Sequence, residues 1–263
     1  MRIATWNVNG LRARLDFIKI WLEARQPDIV GMQELKVAEE DFPADEFTAL
    51  GYEVAIHSQK SWNGVGILSR YPIDLQTKGL PGQETIGARL ITANIRDLSF
   101  TTVYVPNGKS IDHDDFPRKL SWISTLASYW TTEIETEMPA ILCGDFNVVP
   151  AAIDSWQGES ADGRMFHTVE ERNRLTALTQ TGLFDLFREK YPDDPSFSWW
   201  DYRGGSFHRK HGLRIDFVLG NASVLKRVRE VEIDREFRKK TEGLTPSDHA
   251  PVIVDLNCSA STA

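Results

Sequence analysis

Chemistry-bearing side chains recur in this chain where apolar runs stop. "TPSDHAPVIVDL", residues 245–256, sets Asp248 and His249 between two prolines at the mouth of such a run. Asn7 and Asn9 close "RIATWNVNG", Glu34 follows "DIVGMQ", Tyr104 and Asn107 fall in "VYVPNG", and Asp216 interrupts "GLRIDFVL". A carboxylate where a strand leaves the core must find a cation, water or a hydrogen-bond donor. Asp145 and Asn147 in "CGDFNVVP" are two apart, so an extended backbone turns both to one side. Each stretch also has a plain reading. The Asn residues before Gly10 and Gly108 build turns, Asp145 and Asn147 make an Asx turn, Tyr104 is a strand aromatic, and Asp248 caps the turn begun by Thr245, Pro246 and Ser247.

Taken together the residues suit one another. His249 is a suitable donor for Asp216. A carboxylate on one ring nitrogen fixes the imidazole tautomer, favours its charged form and leaves the other nitrogen for a substrate anion. Oxygen ligands on Glu34, Asp248 and Asn7, with no Cys and no spaced His pair, select a hard cation such as Mg²⁺ over zinc, with Mn²⁺ expected to substitute. Magnesium takes one or two carboxylates and leaves positions for water and a substrate phosphate.

The elements that must position these groups are strands and helices mixed along the whole length. "RIATWN", "DIVGMQE", "TTVYVPN", "AILCGDFN" and "GLRIDF" read as strands ending in Asn, Glu or Asp. Leu15, Ile18 and Leu22 share a helical face, as do Leu120, Ile123, Ala127, Trp130 and Ile134; Thr168 with Glu171 makes a capping box before Leu175 and Leu178. The pattern predicts an α/β fold in which helix-covered sheets pack on each other and strand ends converge on one edge. No linker or repeat divides the chain, so one domain is expected over 1–257, with a short tail at 258–263.

At 263 residues, 41% hydrophobic and 26% charged, the composition is that of a soluble globular protein. The start, "MRIATWNVNG", has no signal-type apolar region and no stretch is long enough for a membrane helix, so an intracellular chain is expected. Cys143 and Cys258 provide neither a disulfide framework nor a thiolate cluster, which fits a reducing cytoplasm. A formal charge of −8 opposes a polyanionic partner, but charge is unevenly spread. "SFHRKHGLR" carries Arg209, Lys210 and Arg214 and is the better candidate for phosphate contact; the basic run 226–240 alternates like a solvated surface strand.

"WNVNGLRAR", "QELK", "VYVPNG", "GDFN", "SWWDYR", "GLRIDF" and "SDHAPV", in this order from residue 6 to 252, resemble the exonuclease III family of abasic-site endonucleases, within the endonuclease/exonuclease/phosphatase superfamily. "GDFN" and "SDH" are common to that superfamily, whereas "SWWDYR" followed by "GLRIDF" is much narrower and points to the abasic-site nucleases. The resemblance implies a DNase I-like, four-layer α/β sandwich with helices outside two packed mixed sheets and the active site at one edge. It makes Glu34 the chief Mg²⁺ ligand, helped by Asn7 and Asp248, with Asn9 nearby and Asn107 beside the substrate. Asp145 would deprotonate the attacking water, Asn147 and Tyr104 would hold the phosphate, and His249, oriented by Asp216, would stabilise its added charge. Trp199, with Phe217 or Leu219, would line a pocket for a flipped abasic sugar.

The implied partner is double-stranded DNA with abasic sites or 3′ ends, met by a monomeric, cytoplasmic enzyme that needs no membrane. The acidic segment Asp112–Asp115 departs from what a loop near DNA would carry, and the loop around Arg209 and Lys210 has its own composition. Two other functions share these residues. A lipid or inositide phosphoesterase of the same superfamily would lack the "SWWDYR" pocket, and a silent damage-binding module would not need its metal, base and imidazole positions filled.

Overall fold

The computed structural model describes residues 1–134 and 137–257. The expected tail, with Cys258, lies outside the described residues. The strands are β1 (Arg2–Asn7), β2 (Ile29–Gln33), β3 (Glu53–His57), β4 (Val65–Ser69), β5 (Asp74–Lys78), β6 (Leu90–Ile95), β7 (Leu98–Tyr104), β8 (Ala140–Asp145), β9 (Phe184–Asp185), β10 (Asp216–Gly220), β11 (Val228–Ile233) and β12 (Val252–Leu256). The helices are α1 (Leu15–Arg25), α2 (Ala44–Thr48), α3 (Asp115–Glu133), α4 (Val169–Thr179), α5 (Leu186–Lys190), α6 (Ser206–Arg209) and α7 (Ala222–Leu225).

Two six-stranded sheets form, in the orders β11-β12-β1-β2-β4-β3 and β5-β6-β7-β8-β10-β9. Each is mixed: β1 runs parallel to β2 and β7 parallel to β8, while the remaining pairs are antiparallel. The period-2 alternation of a strand divides the buried side chains between faces. Ile3, Ile29, Ile67, Phe100, Ile141, Val218 and Val254 meet between the sheets. Ala4, Trp6, Val30 and Met32 point outward under Phe17, Ile18, Trp21 and Leu22 of α1. Val103, Leu142, Phe217 and Leu219 point outward on the other sheet, under Trp122, Ile123 and Leu126 of α3 and Leu175 and Leu178 of α4. These are four layers, helix–sheet–sheet–helix.

The expected helices form with the predicted faces, and Thr168 caps α4 through the reciprocal bonds with Glu171. Two boundaries differ. α3 stops at Glu133, and Ile134 packs from an extended residue after it. "GLRIDF" becomes a strand only at Asp216, because Leu213 bridges Trp199 instead and the buried Arg214 is held by Asp154 and Asp185 at 2.6 and 2.7 Å. The run 226–240 supplies β11, an edge strand with exposed Arg229, Glu230 and Glu232, as its alternation suggests. No described helix is long and apolar enough to cross a membrane.

Candidate active site

Strand parity assembles the site. On β1 the residues facing the other sheet are Ile3, Thr5 and Asn7; on β8 they are Ile141, Cys143 and Asp145; β7 presents Thr102 and Tyr104, and β10 begins with Asp216. The register sets Tyr104 opposite Asp145 and Asp145 opposite Asp216, so three of these side chains come from adjacent positions of one sheet. On each of these strands the inward position nearest this edge is polar, at the end of β1, β7 and β8 and at the start of β10. Glu34 follows β2 in a left-handed backbone (φ 54°), and Asp248 and His249 approach just before β12.

Just below lies a second polar tier. Gln33, fully buried, donates from Nε2 to Thr5 Oγ1 of its own sheet and Thr102 Oγ1 of the other, both at 2.8 Å. Gly31 permits this approach: a Cβ there would sit 2.7 Å from Thr102 Oγ1 and 3.0 Å from Cys143 Sγ.

The upper tier is a continuous network. Asn7 Nδ2 donates to Glu34 Oε1 at 2.8 Å and to Asp145 Oδ2 at 2.9 Å. Asn9 donates through Nδ2 to Asp248 Oδ1 at 2.8 Å and accepts from Lys36 Nζ at 2.6 Å, and Lys36 also pairs with Glu34 at 2.6 Å. His249 Nδ1 lies 2.9 Å from Asp216 Oδ2, which Ser198 Oγ also reaches at 2.6 Å. His249 Nε2 faces Asp145 Oδ2 at 3.8 Å. The backbone of Asn147 (φ 51°) donates to Asp145 Oδ1 at 2.9 Å, and its amide donates to Val105 O at 3.0 Å. Asn107 reaches Asn147 Oδ1 only at 3.5 Å and accepts from Lys109 N, so it also makes the turn its sequence suggests.

Burial and charge tune these groups against each other. Burial opposes a charged His249, yet the charge and hydrogen bond of Asp216, with the charges of Asp145 and Asp248, outweigh it and raise its pKa to about 10. Burial pushes Asp145 up to about 7 despite the nearby His249 charge, with Asp216 and Glu34 adding repulsion. Asp248 is drawn below the usual carboxylate range: burial acts against this, but His249 and the bonds from Trp199 and Asn9 prevail. Tyr104 is held well above its ordinary value by burial and then by the Glu34 and Asp145 charges. The site thus keeps an imidazolium beside a carboxyl able to exchange a proton near neutrality.

Ligand atoms of Glu34, Asp145 and His249 lie within 4.8 Å of one another. Asp248, expected as a ligand beside Glu34, stands outside that group, its two oxygens accepting from Asn9 and from Trp199 Nε1 (3.0 Å). The carboxylate oxygens of Glu34 and Asp145, without a thiolate, fit a hard divalent cation, while Asn7, also expected as a ligand, turns its Nδ2 to both of them.

Trp199 is half-buried and bridges both Leu213 and His249. Its apolar companions are Val149, Leu213 and Ile215, with Phe166 packed against them. The expectation for Phe217 needs correction: the parity that turns Asp216 into the site turns Phe217 and Leu219 outward, and Phe217, 1% exposed, packs on Phe146 under the helices. Leu213 and Ile215, which sequence reasoning passed over, share the parity of Phe217 but precede the strand, where Leu213 bridges Trp199, so alternation gives no signal for them. Arg209 and Lys210 are exposed at the end of α6 and form no part of the network.

Lys36, Ser198 and Lys119 were also missed. Lys119 is fully buried on α3 and donates to the carbonyls of Asn107 (3.3 Å) and Asn147 (2.7 Å) and to Glu171 of the α4 capping box. A charged residue on a helix gives no sequence signal for so distant a partner.

Residues 4–249 match the model of the Endonuclease/Exonuclease/phosphatase family. The chain is 35% identical to exodeoxyribonuclease III of Haemophilus influenzae, covering 96% of this chain and 98% of that one. Among solved structures it is similar to an AP endonuclease from Archaeoglobus fulgidus (TM-score 0.93, 31% identity, 98% and 100% of the two chains). It is equally similar to NExo, a 3′ phosphatase from Neisseria bound to product DNA hairpin (TM-score 0.93, 34% identity, 98% and 100%). With its two mixed sheets and clustered acids at their edge, the chain belongs to the endonuclease/exonuclease/phosphatase family, as a phosphodiester hydrolase of the exodeoxyribonuclease III and AP endonuclease kind.

Proposed function

We propose that the protein is a Mg²⁺-dependent DNA repair nuclease that hydrolyses the phosphodiester on the 5′ side of abasic sites in duplex DNA and also trims and digests 3′ ends. The observation that carries this reading is the meeting of Glu34, Asp145 and His249 within 4.8 Å, next to the Asp216–His249 pair. A divalent cation there would supply positive charge to a non-bridging phosphate oxygen, with Glu34 as its chief ligand, Asn7 and Asp145 beside it and Asp248 supporting through Asn9. Mn²⁺ would serve in place of Mg²⁺.

Asp145 orients the attacking water and takes its proton, a role suited to a carboxyl raised to about 7. His249, held charged by Asp216, places positive charge where the phosphate oxygens gain negative charge, and Tyr104 and Asn147 fix the phosphate in line. Trp199, with Leu213 and Ile215, presents an apolar wall to a sugar turned out of the duplex; extrusion is easiest where no base is stacked. Asn9 holds Asp248 in place, Asn107 borders the phosphate, and exposed Arg209 and Lys210 contact flanking backbone. The reading treats the protein as a cytoplasmic monomer.

A second reading, a 3′-end processing enzyme without abasic incision, is favoured by the similarity to NExo, whose match equals that of the AP endonuclease. One duplex scaffold carrying an abasic site, a 3′ phosphate, a blunt 3′ end or an undamaged interior separates the two. Incision at the abasic site at a rate comparable to or above 3′-phosphate release supports the first reading; 3′-phosphate release alone supports the second. Hydrolysis of phosphoinositide with no action on any duplex would overturn both.

A further inference from the structure

The basic run 226–240 contains one buried cation, Arg238. Arg227, Arg229 and Lys239 pair with Asp97, Asp255 and Glu236 at 2.9, 3.2 and 2.7 Å. Arg238 is 8% exposed and among the described residues has no carboxylate partner. Its Nε and Nη2 donate to the carbonyls of Asp248 and Trp200, both at 3.1 Å, and its guanidinium carbon lies 5.0 and 5.3 Å from the ring centroids of Tyr202 and Phe207. The fork is clamped and Nη1 is left over. That nitrogen is the donor open to a ligand.

Arg238 lines a cavity of about 390 Å³ with Tyr202, Phe207, Lys239, Lys240 and Pro246. The wall's one carboxylate, Asp201, is held by Arg203 at 2.7 Å. Pro246 lies two residues before Asp248, and its carbonyl accepts from Tyr202 at 2.7 Å, so the cavity adjoins the site. A fixed guanidinium, the ammonium group of Lys240 and flanking rings match a phosphate anion attached to a nucleoside.

We infer that this cavity is a second phosphate subsite, in which Arg238 and Lys240 hold one phosphodiester of the DNA strand beyond the reacting one. The inference rests on DNA being the substrate. Because Arg238 grips the Asp248 carbonyl, occupancy also braces the segment carrying Asp248 and His249.

The test scans one uncharged methylphosphonate along duplexes containing an abasic site and measures binding by anisotropy without divalent metal. For the wild type, one position beyond the reacting phosphate is expected to weaken Kd by about tenfold. In Lys240→Ala and in Arg238→Met that replacement should have no further effect, and Lys240→Ala should lower the slope of log Kd against log salt by about one. Lys240 is exposed, so its variant tests the subsite even where Arg238→Met fails to fold. Uniform weakening of both variants at every position overturns the subsite alone; a wild type indifferent to every methylphosphonate overturns the DNA reading with it. Millimolar inorganic phosphate that displaces DNA from the wild type but not from Lys240→Ala identifies free phosphate as the ligand and also overturns the proposal.

Discussion

Asp216 and His249 are paired at 2% and 3% exposure, and it is Asp216 that keeps the buried imidazole charged. Their interaction grows as negative charge gathers on the phosphate, so Asp216→Asn and His249→Ala should each lower kcat by about 100-fold with little change in DNA affinity. The double variant should fall by about the same factor; a defect equal to the product of the two would mean that they act separately. Glu34→Gln should raise the Mg²⁺ needed for half-maximal rate by about tenfold or more. It should also diminish the rise in Tm that Mg²⁺ gives the wild type; an unchanged titration on both measures contradicts Glu34 as chief ligand. Trp199→Ala should slow abasic incision more than blunt-end digestion. Trp199→Phe keeps an aromatic ring but removes the donor to Asp248, so a Phe variant as active as wild type would assign the residue's value to the ring alone. The Asp216–His249 pair could be anticipated because a buried acid and a nearby imidazole complete one another chemically. The bond from Trp199 to Asp248 could not, since it depends on a tryptophan 49 residues away turning its indole N–H inward.

The strands were legible because their apolar alternation is dictated by two packed faces, and their polar ends followed from where that packing stops. Which polar end faces the site is a matter of parity, which turns Phe217 away, and the strand in "GLRIDF" begins three residues after its apolar pattern does. Invisible in sequence was the tier beneath, in which Gln33 bolts Thr5 of one sheet to Thr102 of the other. Gly31→Ala would force a methyl group against Thr102 in this tier. The expected loss is about 1–3 kcal/mol in urea unfolding. A drop in kcat should also persist well below the variant's Tm, because Asn7 and Glu34 belong to one sheet and Asp145 to the other. Normal turnover by a destabilised variant would show that the sheet separation does not matter to the chemistry.

Over the whole molecule a charge of −8 coexists with a function on a polyanion, so contact depends on a few placed cations and not on the general field. Placement reaches deep: Lys119 joins α3, α4 and the Asn107 and Asn147 loops through one ammonium. Lys119→Met, which strands Glu171 in the interior, should destabilise by about 3–5 kcal/mol. Adding Glu171→Leu should recover much of that in denaturant melts; no recovery would mean that the carbonyl contacts, not the ion pair, are what matters. The inward parity of the strand ends also limits how such a chain can change length. One residue inserted within β8 would bring Gly144 to the place of Asp145 and send the carboxylate beneath the helices, whereas the same insertion in an exposed loop shifts no face. Insertions and deletions compatible with activity should therefore fall outside the central strands, and a library of single-codon insertions selected for nuclease activity would chart the sheets as gaps in its survivors.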